Sequence, residues 1–448
     1  MSAANSNNNY RLSEGSRWAG LWKVAAGLGV VGLGITAWAF LADPVHFGYS
    51  YLYGFFAILT FLFGALFLVI AEHLTAGHWG VTTRRLAEFI LAGAPVLAVF
   101  GAIYLVLALT GKVHVYDEWM GGHHDDEAAH AVVEQGLFGA SVAHASSGES
   151  HGAHGDLYPR GHSAQEAELH HHVLEHKAPY LNKSRFFIFG LVYLLIWVGL
   201  SFFYYRRSVK QDEDHDPSHT VKLRAFAPVA AILFGLSLTF AAFDWLMSLE
   251  PAWYSTIFGV VIFGGSAAAI FALLIVWGVS LHRSGEVGDA INVEHIHDLG
   301  KMMFGFFCFW TYVSFSQWML IWYAGIPEEA VFFHKRWQGG WQTVSVMMIL
   351  LHFALPFLLF ISRIFKRNLV WARIMASVIL FIHLVDVYWY VLPNGSPVVG
   401  HGMLFDVGAL LMVGGFFFAL VFKKMNDHAL IPVGDPLLER SLHHHQSY

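Results

Sequence analysis

The stretch LYGFFAILTFLFGALFLVIAEHL, residues 52–74, is apolar over almost its whole length and decides the class of fold. About 20 such residues, folded as a helix, cross the hydrocarbon core of a bilayer. The same character dominates the chain, since 56% of its 448 residues are hydrophobic and only 13% are charged. An ordinary soluble domain carries roughly 25% charged residues. The sequence therefore predicts an all-α integral membrane protein.

Nine further stretches have this character, so we expect ten transmembrane helices. The predicted spans cover residues 18–42, 52–74, 86–110, 186–205, 223–246, 257–281, 302–324, 341–362, 370–391 and 402–423. This divides the chain into a tail 1–17, helices one to three in 18–110, a long loop 111–185, helices four to ten in 186–423 and a tail 424–448. The polar N-terminal segment lacks the features of a cleaved signal peptide.

The distribution of basic residues predicts the orientation. Most of the 26 lysines and arginines fall in the tails and in alternate connections, which marks those segments as cytoplasmic. Both termini are then cytoplasmic, and the loop 111–185 is periplasmic. This loop is rich in histidine and acidic residues, as in GGHHDDEAAH (121–130), which is typical of a solvated insertion. Within it, His172 and His176 share one helical face and form a weak candidate site for zinc or copper.

Two sequence features argue against familiar cofactor sites. Cys308 is the single cysteine, so disulfides, iron–sulfur clusters and covalent haem attachment are not expected. The stretch GLGVVG, residues 27–32, matches a dinucleotide-binding pattern but lies inside the first apolar span with no strand before it. We interpret its glycines as a place where another helix approaches closely.

Ionisable residues inside predicted spans are the main functional signal, because charge in the bilayer is costly. The stretch FIHLVDVYWY, residues 381–390, puts His383 and Asp386 on one helical face near mid-membrane. We interpret them as the centre of a proton relay that is better developed toward the periplasm. The further candidates for this relay are His352, Asp244, Glu250, Asp406, His401, Glu72, His73, Glu88, Asp298 and Lys301, with Tyr388 able to assist.

Three other interpretations remain open for these residues. A buried histidine can simply bond to a neighbouring helix, and groups near the helix ends can snorkel to water. His352 and His383 could ligate a b-type haem. A quinone head group could bind the aromatic and polar residues of the seventh span together with His352; these candidates are Gln317, Trp310, Tyr312, Trp318 and Trp322.

Several long stretches resemble one known family. They are FDWLMSLEPAWYSTIFGV (243–260), HDLGKMMFGFFCFWTYVSFSQWMLIWYAGIPEE (297–329), HFALPFLLFISRIFKRN (352–368), HLVDVYWYVLP (383–393) and LIPVGDPLLERSL (430–442). They resemble the ActF-type, NrfD-related membrane subunit of bacterial alternative complex III, a quinol:cytochrome c or quinol:oxidase oxidoreductase. The resemblance covers the chain from about residue 176 on. One departure is Ala252, where the family more often has histidine.

The resemblance implies ten helices in two four-helix bundles plus flanking helices, with no redox centre of its own. It implies a place in the bacterial cytoplasmic membrane beside a homologous NrfD-like subunit, an iron–sulfur subunit, c-type cytochromes and, as a further candidate, a terminal oxidase. Quinone or menaquinone is the candidate ligand, and no covalently bound cofactor is expected. The implied role is to supply proton half-channels to quinol oxidation in the partner subunits. The alternatives are a stand-alone secondary transporter and a b-type cytochrome anchor.

Overall fold

The computed structural model describes residues 10–13, 15–121 and 172–444 of the chain. These residues contain ten helices long and apolar enough to cross a membrane, and no β-strand, so the chain is a multi-pass all-α membrane protein, as predicted. The helices are α1 (Arg17–Ala42), α2 (Pro44–Thr75), α3 (Val81–Leu109), α4 (Lys183–Asp214), α5 (Ser218–Leu249), α6 (Phe258–Ser284), α7 (Gly288–Ala324), α8 (Trp341–Phe360), α9 (Leu369–Asn394) and α10 (Met403–Asp427). Most of the predicted loop 111–185 lies outside the described residues.

Several helices are longer than the apolar spans predicted them to be. Helix α2 begins at Pro44 because the Asp43 carboxylate accepts the backbone N–H of His46 at 3.0 Å, and proline suits the first helical position. Helix α3 begins at Val81, so that its first turns carry Arg84 and Arg85. Hydropathy marks only the apolar part of a helix, and the first turns of these two helices carry buried polar side chains such as His46, Arg84 and Arg85.

The ten helices form two bundles and a flanking pair. Helices α2 to α5 contact one another in a closed ring, and α6 to α9 form a second ring. Helices α2 and α6 are buried on nearly all sides and join the two bundles, while α1 and α10 pack against each other and against α2. This arrangement agrees with the two four-helix bundles and flanking helices that the resemblance implied.

Close contact between α1 and α10 depends on glycine, which confirms the interpretation of GLGVVG. A Cβ atom on Gly32 would overlap the backbone of Met412 and the carbonyl oxygen of Gly408, and one on Gly415 would overlap Gly29. Small residues allow two membrane helices to pack with their backbones in contact. The motif is therefore a helix-packing surface.

Helix α8 contains a wider turn at its middle. Residues Ile349–Ala354 adopt a π-helical conformation, between the α-helical segments Trp341–Met348 and Leu355–Phe360. Pro356 follows His352 by four residues; it has no N–H to bond the His352 carbonyl, and its ring would collide with that carbonyl in a regular α-helix. The wider turn relieves this collision, so the sequence HFALP places His352 on an irregular segment.

A buried arginine fixes the predicted periplasmic end of the second bundle. Arg336 follows the short helix Pro327–Lys335 and is 1% exposed. Its guanidinium donates to the carbonyl oxygens of Phe332 at 2.7 Å, Trp389 at 3.0 Å and Tyr390 at 2.9 Å. Burial lowers the pKa of Arg336 to about 9, which still leaves it charged at neutral pH. Its charge faces carbonyl oxygens of the last turn of α9, where the helix dipole is negative.

The C-terminal segment folds back across the predicted cytoplasmic ends of the helices. The Leu430 N–H donates to the carbonyl of Tyr10 at 2.7 Å, and the Gly434 N–H donates to Asp212 at 3.0 Å. Asp435 accepts from Arg84 at 2.6 Å, and His444 lies 2.8 Å from Asp298. The segment thus contacts the N-terminal residues at Tyr10, helices α3 and α4 of the first bundle, and helix α7 of the second bundle.

Substitution of Gly32 by leucine should destabilise the protein, because the new side chain would meet the backbone of α10. The expected loss is about 1–3 kcal/mol, the range for overpacked sites. Gly34 is the matched control, since a Cβ there has no atom within 4 Å. Thermal unfolding in detergent should show a lower midpoint for Gly32→Leu and an unchanged one for Gly34→Leu. Equal midpoints for the two variants would contradict the packing described here.

Candidate functional site

Five polar or aromatic side chains meet inside the second bundle, and we call them the central cluster: Trp310 of α7, His352 of α8, and His383, Asp386 and Tyr390 of α9. Each of them is less than 9% exposed. His383, Asp386 and Tyr390 recur at intervals of three and four residues, so they lie along one face of α9. The pair predicted from FIHLVDVYWY therefore faces the interior of the bundle and not the lipid.

His352 is held by stacking rather than by hydrogen bonds. Its imidazole lies on the Trp310 indole with ring centroids 3.8 Å apart and an angle of 24° between the planes. Neither of its ring nitrogens has a hydrogen-bond partner among the described residues. A buried polar atom without a partner is costly, and such atoms concentrate where water, a proton or a ligand is accommodated. The π-helical turn places this histidine at that position.

His383 presents one free acceptor to the cluster. Its Nε2 lies 2.8 Å from the Thr60 hydroxyl, and that hydroxyl donates its only hydrogen to the carbonyl of Ala57 at 2.7 Å. Thr60 must then accept, so in the neutral ring the proton is on Nε2 and Nδ1 is an acceptor. Nδ1 has no partner within the described chain and lies beside Gly265, where a Cβ would be 3.4 Å away. Nδ1 of His383 is thus the ring nitrogen that can accept a hydrogen bond from a further group.

Asp386 lies one turn further along α9 and has no cationic partner. The groups that face its carboxyl are the Tyr390 hydroxyl and the Trp310 indole, and its Oδ1 atom has no hydrogen bond in the described chain. An isolated carboxylate at this depth is costly. A carboxyl that binds and releases a proton avoids that cost in its neutral form.

The carboxylates predicted at the periplasmic side are paired and lie apart from one another. Asp244 accepts from Arg185 at 3.0 Å and from the Tyr193 hydroxyl at 2.7 Å. Burial, and then Asp244, raise the pKa of Tyr180 to about 12. Glu250 accepts from Lys335 at 2.5 Å.

Asp406 also has its own partners. It accepts from the Ser50 hydroxyl at 2.6 Å and lies 3.0 Å from His46 Nε2, with Tyr388 close enough to interact. His401 is largely exposed, 3.8 Å from Asp43. These acids therefore form separate ion pairs or hydrogen-bonded groups, and the structure does not join them into one continuous relay with Asp386.

The residues predicted at the cytoplasmic mouth belong to a buried network of ion pairs. Arg84 Nε donates to Glu88 at 2.9 Å, Arg85 Nε lies 3.0 Å from the same carboxylate in an ion pair, and the Ser208 hydroxyl donates to it at 2.5 Å. Arg84 also pairs with Asp435, and Arg85 with Asp212 at 2.7 Å.

Glu72 and His73 lie at the edge of this network. Glu72 lies 3.7 Å from Arg84 Nη1, and its carboxylate oxygens make no hydrogen bond within the described chain. His73 stacks on Tyr204 with centroids 5.5 Å apart.

Asp298 pairs with Lys301 at 2.6 Å and with His444. Paired charges dominate this side, and the C-terminal segment covers it.

The predicted quinone candidates divide into two groups. Trp310 and His352 belong to the central cluster, and Gln317 is buried and accepts from the Ser255 hydroxyl at 3.0 Å. Tyr312, Trp318 and Trp322 lie on the exposed face of α7, where Trp318 and Trp322 stack at 5.9 Å. These six side chains are not gathered around one cavity. A quinone would meet either the exposed aromatic face or the buried cluster, but not both together.

The two metal or haem hypotheses can be compared with the geometry. A haem between His352 and His383 would have to displace Trp310, which covers the His352 ring and also lies beside Gly265, next to His383. The packing therefore fits a haem poorly.

The rings of His172 and His176 are 6.1 Å apart, as expected for one helical face. Within residues 10–13, 15–121 and 172–444, no three His, Cys, Asp or Glu residues are grouped for a metal ion.

Several residues of these sites were not predicted from the sequence. Tyr390 was visible in the same motif, seven residues after His383, and its spacing could have placed it in the cluster. The π-helical turn had a signal in Pro356. Arg336, Asp212 and Asp435 had none, because they reach their partners through contacts between distant parts of the chain.

Comparison with known proteins adds no relative. No family model matches the chain, and a search of curated proteins finds no significant match. The likeness to alternative complex III subunits therefore depends on the motifs quoted above.

Asp386→Asn and Glu88→Gln should differ in their effect on stability. Asparagine replaces an unpaired carboxyl of the same shape, so we expect an unfolding midpoint close to that of the parent protein. Glu88→Gln leaves two buried arginines short of a partner, and breaking a buried pair costs about 3–5 kcal/mol. Thermal unfolding in detergent measures both. If Asp386→Asn destabilises as strongly as Glu88→Gln, Asp386 is a structural partner and the description of the central cluster is wrong.

Proposed function

We propose that this chain is a proton-handling membrane subunit of a quinol-oxidising respiratory complex of the alternative complex III type. The observation that carries the proposal is the central cluster: two histidines and an aspartate buried at mid-membrane, with free acceptor atoms and no arginine or lysine partner among the described residues. Elsewhere in the membrane region, the carboxylates singled out above contact a basic side chain.

The cluster has the chemistry of a proton-loading site. A proton that reaches His383 binds at Nδ1, whose lone pair is free, and His352 offers unpartnered nitrogens on the neighbouring helix. Asp386, one turn away on the same face, is the next acceptor. Tyr390 then extends this series of groups toward the predicted periplasmic end of α9. Each group changes charge by one when it gains or loses a proton, so an occupied site is sensitive to redox events in nearby subunits.

In the predicted cytoplasmic half, the series of protonatable groups is less continuous, which favours half-channels over one continuous proton path. From Thr60, which bonds His383, to Glu72 at the other end of α2 is 12 residues, or about 18 Å. The intervening residues of α2, FLFGALFLVIA (61–71), include no polar side chain. Water or a conformational change must bridge this distance. Such a gap prevents a passive proton leak and lets a redox step control passage.

The setting of the proposal follows from the resemblance. Electrons would pass through an iron–sulfur subunit and c-type cytochromes beside an NrfD-like partner in the bacterial cytoplasmic membrane, and this chain would carry no redox centre. Quinol would be oxidised in the partner subunit. Menaquinone or another quinone could contact this chain at the exposed aromatic face of α7.

A stand-alone secondary transporter is the second candidate, and the π-helical turn of α8 at His352 is the observation that favours it. Turns of this kind often lie at functional sites, and transporter binding sites are commonly formed by irregular helices at mid-membrane. Purification decides between the two. A transporter is isolated alone, whereas a complex subunit is isolated with cytochromes whose haem spectra are visible on reduction with dithionite.

The proton role is tested in vesicles that contain the intact complex. Asp386→Asn should preserve assembly and lower the number of protons translocated per electron, because asparagine cannot release a proton. The control is Asp427→Asn, the same change at an exposed position paired with Lys424. We expect a reduced ratio for the first variant alone. An unchanged ratio for Asp386→Asn, with electron transfer intact, would refute the relay.

A further inference from the structure

A groove runs along the lipid-facing surface between α8 and α9. It has a volume of about 400 Å³ and is lined by Leu351, Arg373, Ile374, Ser377, Val378 and Phe381. Leu351 belongs to the π-helical turn that also carries His352. None of the roles discussed so far uses this groove.

The groove is basic at one end and apolar over the rest of its length. Arg373 lies four residues after the first residue of α9, or about 6 Å from the predicted cytoplasmic end of the helix. Phe381 lies eight residues further, about 12 Å deeper. Ile374 and Phe381 are 43% and 56% exposed, so apolar surface opens directly to the hydrocarbon. The basic end is thus at the depth of lipid phosphates, and the apolar walls are at the depth of acyl chains.

Basic residues are numerous on the predicted cytoplasmic side, where the groove ends. Lys301, Arg363, Lys366 and Arg367 lie on the same predicted cytoplasmic side as Arg373. Of the acids nearby, Glu294 accepts two bonds from Arg367, at 2.8 and 2.5 Å. Asp298 is engaged by Lys301 and His444. Both of these acids are therefore engaged by cations other than Arg373, and the Arg373 guanidinium has no side-chain partner among the described residues, so an external anion can pair with it.

We propose that the groove is a binding site for one anionic phospholipid. Its phosphate pairs with Arg373, and one acyl chain lies along Ile374, Ser377 and Phe381. A basic pocket between membrane helices on the cytoplasmic side suits such a head group. A soluble anion would satisfy Arg373 but would leave the apolar walls without an occupant. A zwitterionic lipid would bring its own cation into a region that is already positive.

The site stands independently of the proton relay, since neither Arg373 nor Ser377 contacts the central cluster in the described structure. Arg373 without a bound lipid would snorkel toward the bulk head groups. An arginine that snorkels in this way shows no preference among individual lipids beyond surface attraction. Selective binding of one lipid therefore distinguishes a defined site from snorkelling.

The test uses the full-length protein, delipidated in detergent and titrated with phosphatidylglycerol or phosphatidylcholine, with bound lipid counted by native mass spectrometry. We expect one phosphatidylglycerol bound at least tenfold more tightly than phosphatidylcholine. Arg373→Gln should remove that preference, because a charge-assisted hydrogen bond to phosphate is lost. Ser377→Phe should fill the groove and weaken binding of both lipids; Ser377 is exposed, so the fold should tolerate the change.

Arg206→Gln is the matched control. Arg206 is an exposed arginine near the corresponding end of α4, stacked on Phe202, and its loss removes the same charge from another surface. It should leave the preference for phosphatidylglycerol unchanged. Equal binding of the two lipids by the parent protein would overturn the proposal. So would a loss of preference in Arg206→Gln as large as that in Arg373→Gln, since both results describe surface attraction without a site.

Discussion

The cost of an uncompensated charge inside the bilayer governs where polar residues lie in this protein. An ionised side chain at the centre of a helix costs about 2.5–3.5 kcal/mol on insertion scales, and more by other measures. The chain meets this cost in three ways. At the predicted cytoplasmic side it pairs arginines with several carboxylates, and at the predicted periplasmic side it pairs acids singly with Arg185, Lys335 or His46. At the middle it keeps titratable groups without an ionic partner among the described residues, and in the proposed relay these groups hold or release a proton.

The helices are arranged so that the unpaired groups meet. Helices α2 and α6 join the two bundles, and their small residues allow close approach: Gly265 of α6 leaves space beside His383 and Trp310. The π-helical turn in α8 carries His352 onto Trp310. Arg336 holds the end of α9 through the carbonyls of Trp389 and Tyr390, and this fixes the register of Asp386 relative to α7. The site depends on all of these contacts, because they position the groups that carry the proton in the proposed relay.

The sequence predicted the large-scale structure well, for clear physical reasons. Hydropathy is a property of local segments, so ten spans and the packing role of GLGVVG could be recognised directly. The helical spacing of His383 and Asp386 also predicted their shared face. Partners formed between distant segments could not be predicted. Asp435 and Arg84 are far apart in the chain, and nothing in LIPVGDPLLERSL showed that this segment returns to cover α3. The predicted relay toward the periplasm depended on depth alone, and depth does not reveal that Asp244 and Asp386 lie in different bundles.

The account depends most on Asp386 changing its protonation during turnover. Infrared difference spectroscopy of the intact complex, oxidised against reduced, measures this directly through the carbonyl stretch of a carboxylic acid. The account predicts a redox-dependent carboxylic acid band that disappears in Asp386→Asn and persists in Asp427→Asn. A spectrum with no carboxylic acid band sensitive to Asp386 would show that its protonation does not follow the redox state, and would contradict the proposed coupling.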